Sequence, residues 1–133
     1  MMLRTKSTSD HLQRAQQFRD LMSQPMGVMT RDIANLQGGL IEEETQEFVE
    51  AIQEAIAYPQ NKRAKEEALK ELADLTYVCF QAAAAFGWDL NEALDRVHRS
   101  NLSKLVDGKP LRREDGKVLK GPNYKKPTLT DLV

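Results

Sequence analysis

With 133 residues, 41% of them hydrophobic, the chain has material for one domain with a modest core. No apolar run approaches the roughly 20 residues of a membrane span, and the opening MMLRTKSTSD lacks the apolar middle of a signal peptide. A single cysteine, Cys79, excludes an intramolecular disulfide framework, so the expectation is a cytoplasmic protein with no membrane partner.

The net charge of −1 is unevenly spread. Residues 1–103 hold 11 basic against 16 acidic side chains, whereas residues 104–126 hold 8 against 3. An acidic helical body over about residues 10–106 therefore carries a basic tail over 107–133, and both are read as parts of one domain.

The first helix is expected from Asp10 to Ser23. Asp10 followed by Gln13 resembles a capping box, and Leu12, Ala15, Phe18, Leu21 and Met22 recur at helical spacing. Pro25 and Gly27 end the pattern and open a connector containing Met26, Val28 and Met29.

The second helix is expected from Ile33 to Ala57, with Pro59 preventing continuation. Its apolar stripe is Leu40, Ile41, Phe48, Ala51, Ile52 and Ala55. Glu44 falls inside that arc, Glu47 at its edge and Glu43 just outside. A glutamate within an apolar stripe is costly unless it is paired or ligated. Glu50 and Glu54 read as surface charges.

The third helix is expected from Lys62 to Phe86, with a stripe through Leu69, Leu72, Leu75, Cys79, Ala82 and Phe86. Glu71 and Asp74 flank this face, and the run Ala82–Ala85 favours close helix packing. Gly87 supplies the left-handed residue that stops the helix. Asp89 and Glu92 resemble a second capping box, opening a fourth helix with Leu90, Ala93, Leu94, Val97 and Asn101 on one face. Asp107-Gly108 ends it. In the tail, Leu111–Glu114 and Lys117–Lys120 flank an Asp115-Gly116 turn and predict a short hairpin. Gly121-Pro-Asn-Tyr124 is turn-rich, and Pro127 keeps the remainder extended.

Each of the two long helices thus carries an acid-x-x-acid pair, Glu44 with Glu47 and Glu71 with Asp74. Residues three apart share one side of a helix. If the helices pack antiparallel, four carboxylates converge, and they repel unless a divalent cation sits among them. An all-oxygen set suits Mg²⁺ or Mn²⁺ rather than Zn²⁺. Asn101 and Lys104, three apart near the end of the fourth helix, offer an amide donor and a cation to a phosphate or sugar. Lys120 and Tyr124 flank the Gly-Pro-Asn turn. His11 and His98 have no metal-ligand spacing, Cys79 reads as core, and Trp88 as a packing wedge. There is no Gly-rich phosphate loop, Ser/His/Asp set or zinc-finger spacing.

These motifs resemble a known family. Leu40-Ile-Glu-Glu-Glu-Thr-Gln-Glu47, then 23 intervening residues, then Glu71-Leu-Ala-Asp74 is similar to the Glu-Glu-x-x-Glu and Glu-x-x-Asp signature of the MazG-like all-α nucleoside triphosphate pyrophosphatases. The likeness extends through Phe86–Asp89, His98–Asn101, Ser103–Leu105 and Asp115–Tyr124, over roughly residues 10–128. The short form with this tail resembles stand-alone bacterial and phage members, including those that favour guanine nucleotides.

The resemblance implies an all-α four-helix bundle completed by oligomerisation, as a dimer or as a tetramer built from two dimers. It implies hydrolysis of a nucleoside triphosphate between its α and β phosphates, in the cytoplasm, or in the host cytoplasm for a phage protein. Glu44, Glu47, Glu71 and Asp74 match the family's metal ligands, for Mg²⁺ with Mn²⁺ as substitute. Glu43 matches the acid that orients the attacking water. Asn101, Lys104, Lys120 and Tyr124 match positions near sugar and phosphates, the last two in a segment that closes over the triphosphate. The family builds its base pocket from the first helix and the connector, where the candidates are Phe18, Gln24, Met26 and Arg31. dGTP or GTP is the expected substrate. Alternatives are dUTP or dCTP, phosphoribosyl-ATP, or a non-catalytic helical module binding nucleic acid through the basic tail. No stable nucleic-acid partner is expected of the enzyme.

Overall fold

A computed structural model describes residues 10–133. The stretch read for a leader, residues 1–9, lies outside the described residues. The fold is all-α, with four α-helices and one two-stranded antiparallel hairpin among the described residues. No helix among the described residues is long and apolar enough to cross a membrane. The chain divides into two compact units, one ending at Trp88 and one spanning Asp89–Val133.

The first unit holds α1 (His11–Leu21), α2 (Arg31–Ala57) and α3 (Lys62–Phe86). The Asp10 carboxylate caps α1 by accepting from the backbone N–H of Leu12 at 2.9 Å and of Gln13 at 3.1 Å. Helix α2 begins two residues earlier than expected because Thr30 caps it, accepting from Ile33 N at 3.2 Å. Asn61 does the same for α3, through Arg63 N and Ala64 N. The short link Tyr58–Asn61 turns the chain back, so α2 and α3 lie antiparallel and pack along their length. Helix α1 packs on α3, which makes α3 the central helix of the unit.

The core of this unit is thin. Among the described residues its buried apolar side chains are Leu12, Ala15, Ala64, Phe80 and the run Ala82–Ala85. Large apolar side chains on α2 and α3 remain exposed, with Ile56 at 71% and Leu69 at 67%.

The connector between α1 and α2 is anchored rather than loose. Gly27 N donates to Ala84 O at 3.3 Å and Val28 N to Ala85 O at 3.0 Å, so the connector satisfies carbonyls that the end of α3 would otherwise leave open. Gly87 ends α3 with φ of 78°. A Cβ there would stand 2.9 Å from Gly27 Cα, so the crossing requires glycine twice over. Arg19, only 4% exposed, completes the anchor. Its Nε donates to Pro25 O at 2.8 Å and its terminal nitrogen to Gln81 Oε1 at 3.3 Å, while Gln81 Nε2 donates to Ala15 O at 3.4 Å.

The second unit holds α4 (Leu90–Leu102), β1 (Leu111–Arg112) and β2 (Val118–Leu119). Asp89 caps α4 through Glu92 N at 3.1 Å, while the Glu92 carboxylate receives Arg96 at 3.0 Å. The strands pair with Leu111 opposite Leu119 and Arg112 opposite Val118, around the expected Asp115-Gly116 turn. Helix α4 stops at Leu102, before Asp107-Gly108. That dipeptide forms a tight turn with φ of 50° and 73°, closed by paired hydrogen bonds between Val106 and Lys109.

The tail returns to α4 instead of trailing away. Arg96 grips Asp131 through two bonds, at 2.6 and 2.9 Å, and also donates to Thr128 O at 3.0 Å. Ser100 Oγ, in a buried residue, donates to Lys125 O at 2.6 Å, and Lys125 N donates to Ser103 Oγ at 2.9 Å. The last residues make a 3₁₀ turn, Thr130–Leu132, where continued extension was expected.

Candidate metal centre

Helices α2 and α3 pack against each other. On α2 the residues withdrawn from solvent include Ile33, Gln37, Leu40, Glu44, Phe48 and Ala51, spaced three and four apart, and they mark the α2 side of the seam. On α3 Glu71 is buried and Leu75 and Val78 are half-buried. Apart from Gln37, the α2 side of the seam is apolar except where it carries the acids.

There the structure brings together Glu44, Glu47 and Glu71, with one carboxylate oxygen from each lying within 4.8 Å of the others. Glu71 is 7% exposed and Glu44 half-buried. Glu44 Oε2 and Glu71 Oε2 are buried and have no hydrogen-bond partner. The Glu47 carboxyl is pushed up to about 7, chiefly by the charge of Glu44, with partial desolvation and its contact with Glu71 adding to the effect.

Asp74, the fourth expected member, is placed differently. Lys70 Nζ lies 2.9 Å from Asp74 Oδ2 and 3.2 Å from Glu71 Oε1, so Asp74 is engaged by a cation and lies outside the three-oxygen cluster. The two acids hold the Lys70 ammonium well above the usual lysine range, Asp74 more than Glu71. Four converging carboxylates were expected; three converge, and the fourth is one turn away on the rim. Glu43 is exposed beside the cluster.

The cluster passes a chemical test for a hard divalent cation. It offers only oxygen donors, from side chains that two packed helices hold in place. Two of its buried oxygens lack the partner that buried polar atoms require. A cation would satisfy both and remove the mutual repulsion.

The other expected residues separate into two sets. In the first unit, Phe18 is half-buried edge-on to Tyr77 at 5.8 Å, whereas Gln24, Met26 and Arg31 are exposed. In the second unit, Lys120 Nζ stands 4.8 Å over the Tyr124 ring. Between them Gly121 N donates to Lys104 O at 3.2 Å. A Cβ on Gly121 would collide with Val106 and with that same carbonyl, so the glycine permits the close approach of this turn to the Lys104 backbone. Asn101 is exposed at the end of α4. Cys79 is half-buried, and burial raises its thiol pKa, which fits an inert packing residue.

Sequence reasoning missed Lys70, Arg19 and Gln37. Lys70 sits at i+4 to Asp74, a spacing that signals an ion pair. Gln37 lies seven residues before Glu44, a repeat that places it on the same seam. No local signal marks Arg19, because its partners are Pro25 and the distant Gln81.

Comparison with curated proteins returns no match. Residues 15–101, about two thirds of the chain, match the model of the PRA-PH family, phosphoribosyl-ATP pyrophosphohydrolase. The matched span contains both acid pairs and all of α2 and α3, and it ends within α4, before the tail. With the carboxylate cluster set in an antiparallel helix pair, this match establishes that the chain belongs to the phosphoribosyl-ATP pyrophosphohydrolase family of the MazG-like all-α pyrophosphohydrolase superfamily.

Proposed function

We propose that this protein is a metal-dependent nucleoside triphosphate pyrophosphohydrolase of the short MazG-like type, releasing a nucleoside monophosphate and pyrophosphate. The observation that carries this reading is the cluster of Glu44, Glu47 and Glu71, with two buried unpartnered oxygens, inside a span matched by a pyrophosphohydrolase family.

In this reading Glu44, Glu47 and Glu71 hold Mg²⁺, with Mn²⁺ able to substitute, and Asp74 supports the set from its rim. The cation, when bound, offsets phosphate charge and makes water easier to deprotonate at neutral pH. Glu43, exposed one residue before Glu44, accepts a hydrogen bond from the water that attacks the α-phosphorus and so orients it. As the bond to the β-phosphate oxygen breaks, negative charge moves onto pyrophosphate. Lys104 and Lys120 supply positive charge for it, and Asn101 and Tyr124 supply donors to sugar and phosphate oxygens. Phe18, Gln24, Met26 and Arg31 remain the candidates for contact with the base.

Guanine nucleotides, dGTP or GTP, are the proposed best substrates, on the overall likeness to members with that preference. A second reading, hydrolysis of phosphoribosyl-ATP, is favoured by the description of the matching family. Assaying pyrophosphate release from the eight common triphosphates and from phosphoribosyl-ATP, with Mg²⁺ and with Mn²⁺, separates them. The expected result is fastest release from a guanine nucleotide and none after chelation of divalent metal. Equal rates on every base would remove the guanine preference, and activity on phosphoribosyl-ATP alone would establish the second reading.

The proposal includes self-assembly. The thin core and the exposed apolar side chains of α2 and α3, including Val49, Ile56, Leu69 and Leu72, leave a face that a second copy would cover. Light scattering after size exclusion is expected to give a dimer or tetramer at micromolar concentration, and a monomer would remove this part of the proposal. The proposed setting is the cytoplasm, with no membrane partner.

A further inference from the structure

Three buried side-chain atoms lack a hydrogen-bond partner among the described residues: Glu44 Oε2, Glu71 Oε2 and Gln37 Oε1. The first two belong to the acid cluster. The third does not, and no carboxylate chemistry accounts for it. Gln37 is 3% exposed, in the first third of α2, on the stripe that carries Glu44. Seven helical steps separate the two, which is about 10.5 Å along the axis and comparable to the length of a nucleoside.

A buried acceptor with no donor destabilises the chain that carries it. A methionine would fill the same seam position without that penalty. Gly38 and Gly39, the next two residues, point about 100° and 200° around the helix from Gln37 and lie on its exposed side, so they take no part in any contact that Gln37 makes.

We propose that Gln37 reads the nucleoside end of the substrate, with Oε1 accepting a hydrogen bond from an N–H of the base or an O–H of the sugar. This rests on the proposed triphosphate reading, in which the acid cluster would hold the cation that takes the phosphates; the nucleoside then extends along the seam toward the start of α2. Gln37 is a specificity-determining contact in this assignment. It is the unpartnered acceptor that defines the ligand chemistry: the group it takes must be a donor.

The test compares wild type with Gln37→Met, which keeps the side-chain shape and removes the acceptor. In the variant, KM for the preferred triphosphate is expected to rise at least about tenfold, as for a lost buried hydrogen bond, with kcat within about threefold. Affinity for the corresponding nucleoside monophosphate, measured by calorimetry without divalent metal, is expected to fall by a similar factor. The melting temperature of the metal-free variant is expected to equal or exceed that of wild type. A loss confined to one base assigns the donor to the base; a loss that disappears for substrates lacking a sugar hydroxyl assigns it to the sugar. Unchanged KM and product affinity would overturn the assignment while wild-type turnover upheld the triphosphate reading. A lowered melting temperature with an equal loss on every substrate would also overturn it, by marking Gln37 as structural. Gln37→Leu provides the same comparison if the methionine variant does not fold. Absence of pyrophosphate release by the wild type would overturn both readings.

Discussion

Glu47→Gln is expected to lower pyrophosphate release more than a hundredfold while raising the melting temperature of the metal-free protein at pH 8. The two effects have one cause. Glu47 is the cluster member with the most strained charge, its carboxyl pushed up to about 7 chiefly by Glu44. Even groups that merely support a metal ligand cost about 10- to 100-fold when removed, so loss of a proposed ligand should exceed that. The stability effect follows from proton linkage. In the unfolded chain this carboxyl titrates near its ordinary value of 4.5, and in the folded chain near 7. Between those values the folded state holds more protons, so stability falls as pH rises through this window and the loss is complete above it.

Glutamine carries no such charge. The melting-temperature gap between variant and wild type should therefore be largest at pH 8 and close near pH 4. The same linkage makes metal binding release a proton, so apparent Mg²⁺ affinity of the wild type should rise with pH up to about 7 and then level off. Full turnover by the variant would remove the proposed mechanism. A melting-temperature gap that is constant from pH 4 to 8 would show that Glu47 is not raised by its neighbours.

Arg19→Leu is expected to destabilise the protein by about 2–4 kcal/mol in chemical denaturation. It is also expected to open the connector between α1 and α2 to proteolysis. The guanidinium is buried and spans α1, the connector and α3, donating to Pro25 O and to Gln81 Oε1. Leucine would leave both acceptors without that donor and would release the segment that crosses the end of α3. Burial lowers the Arg19 pKa, so the charge itself is held at a cost, and that cost offsets part of the gain from its hydrogen bonds. Arg19→Lys should not restore stability, because one ammonium cannot reproduce the planar fork that reaches two acceptors in different directions. A loss below about 0.5 kcal/mol, the level of an ordinary surface substitution, would show that the connector is held by its backbone bonds to Ala84 and Ala85 alone.

The helices were legible because their signals are local. Asp10 and Asp89 cap where expected, Gly87 ends α3 in the left-handed conformation, and Asp115-Gly116 turns the hairpin. The boundary errors arose where a cap was passed over, at Thr30, and where a Gly-containing turn was read as the end of a helix although the helix had already stopped at Leu102. The acid pairs were legible for the same reason: residues three apart share a helix side whatever the rest of the chain does.

Local backbone bonding and side-chain periodicity thus determined, from the amino-acid order alone, four helices, their approximate limits and which acids lie on each inner stripe. Only the tertiary structure decided that Glu71 joins Glu44 and Glu47 while Asp74 turns to Lys70, that Gln37 is buried with no donor, that Arg19 ties the connector to α3, and that the tail folds back on α4. The reason is geometric. Two residues three apart on a helix differ by about 60° in direction, and which of them meets the neighbouring helix depends on how the two helices are rolled against each other. That roll is set by packing between helices distant in the chain, and no local pattern specifies it.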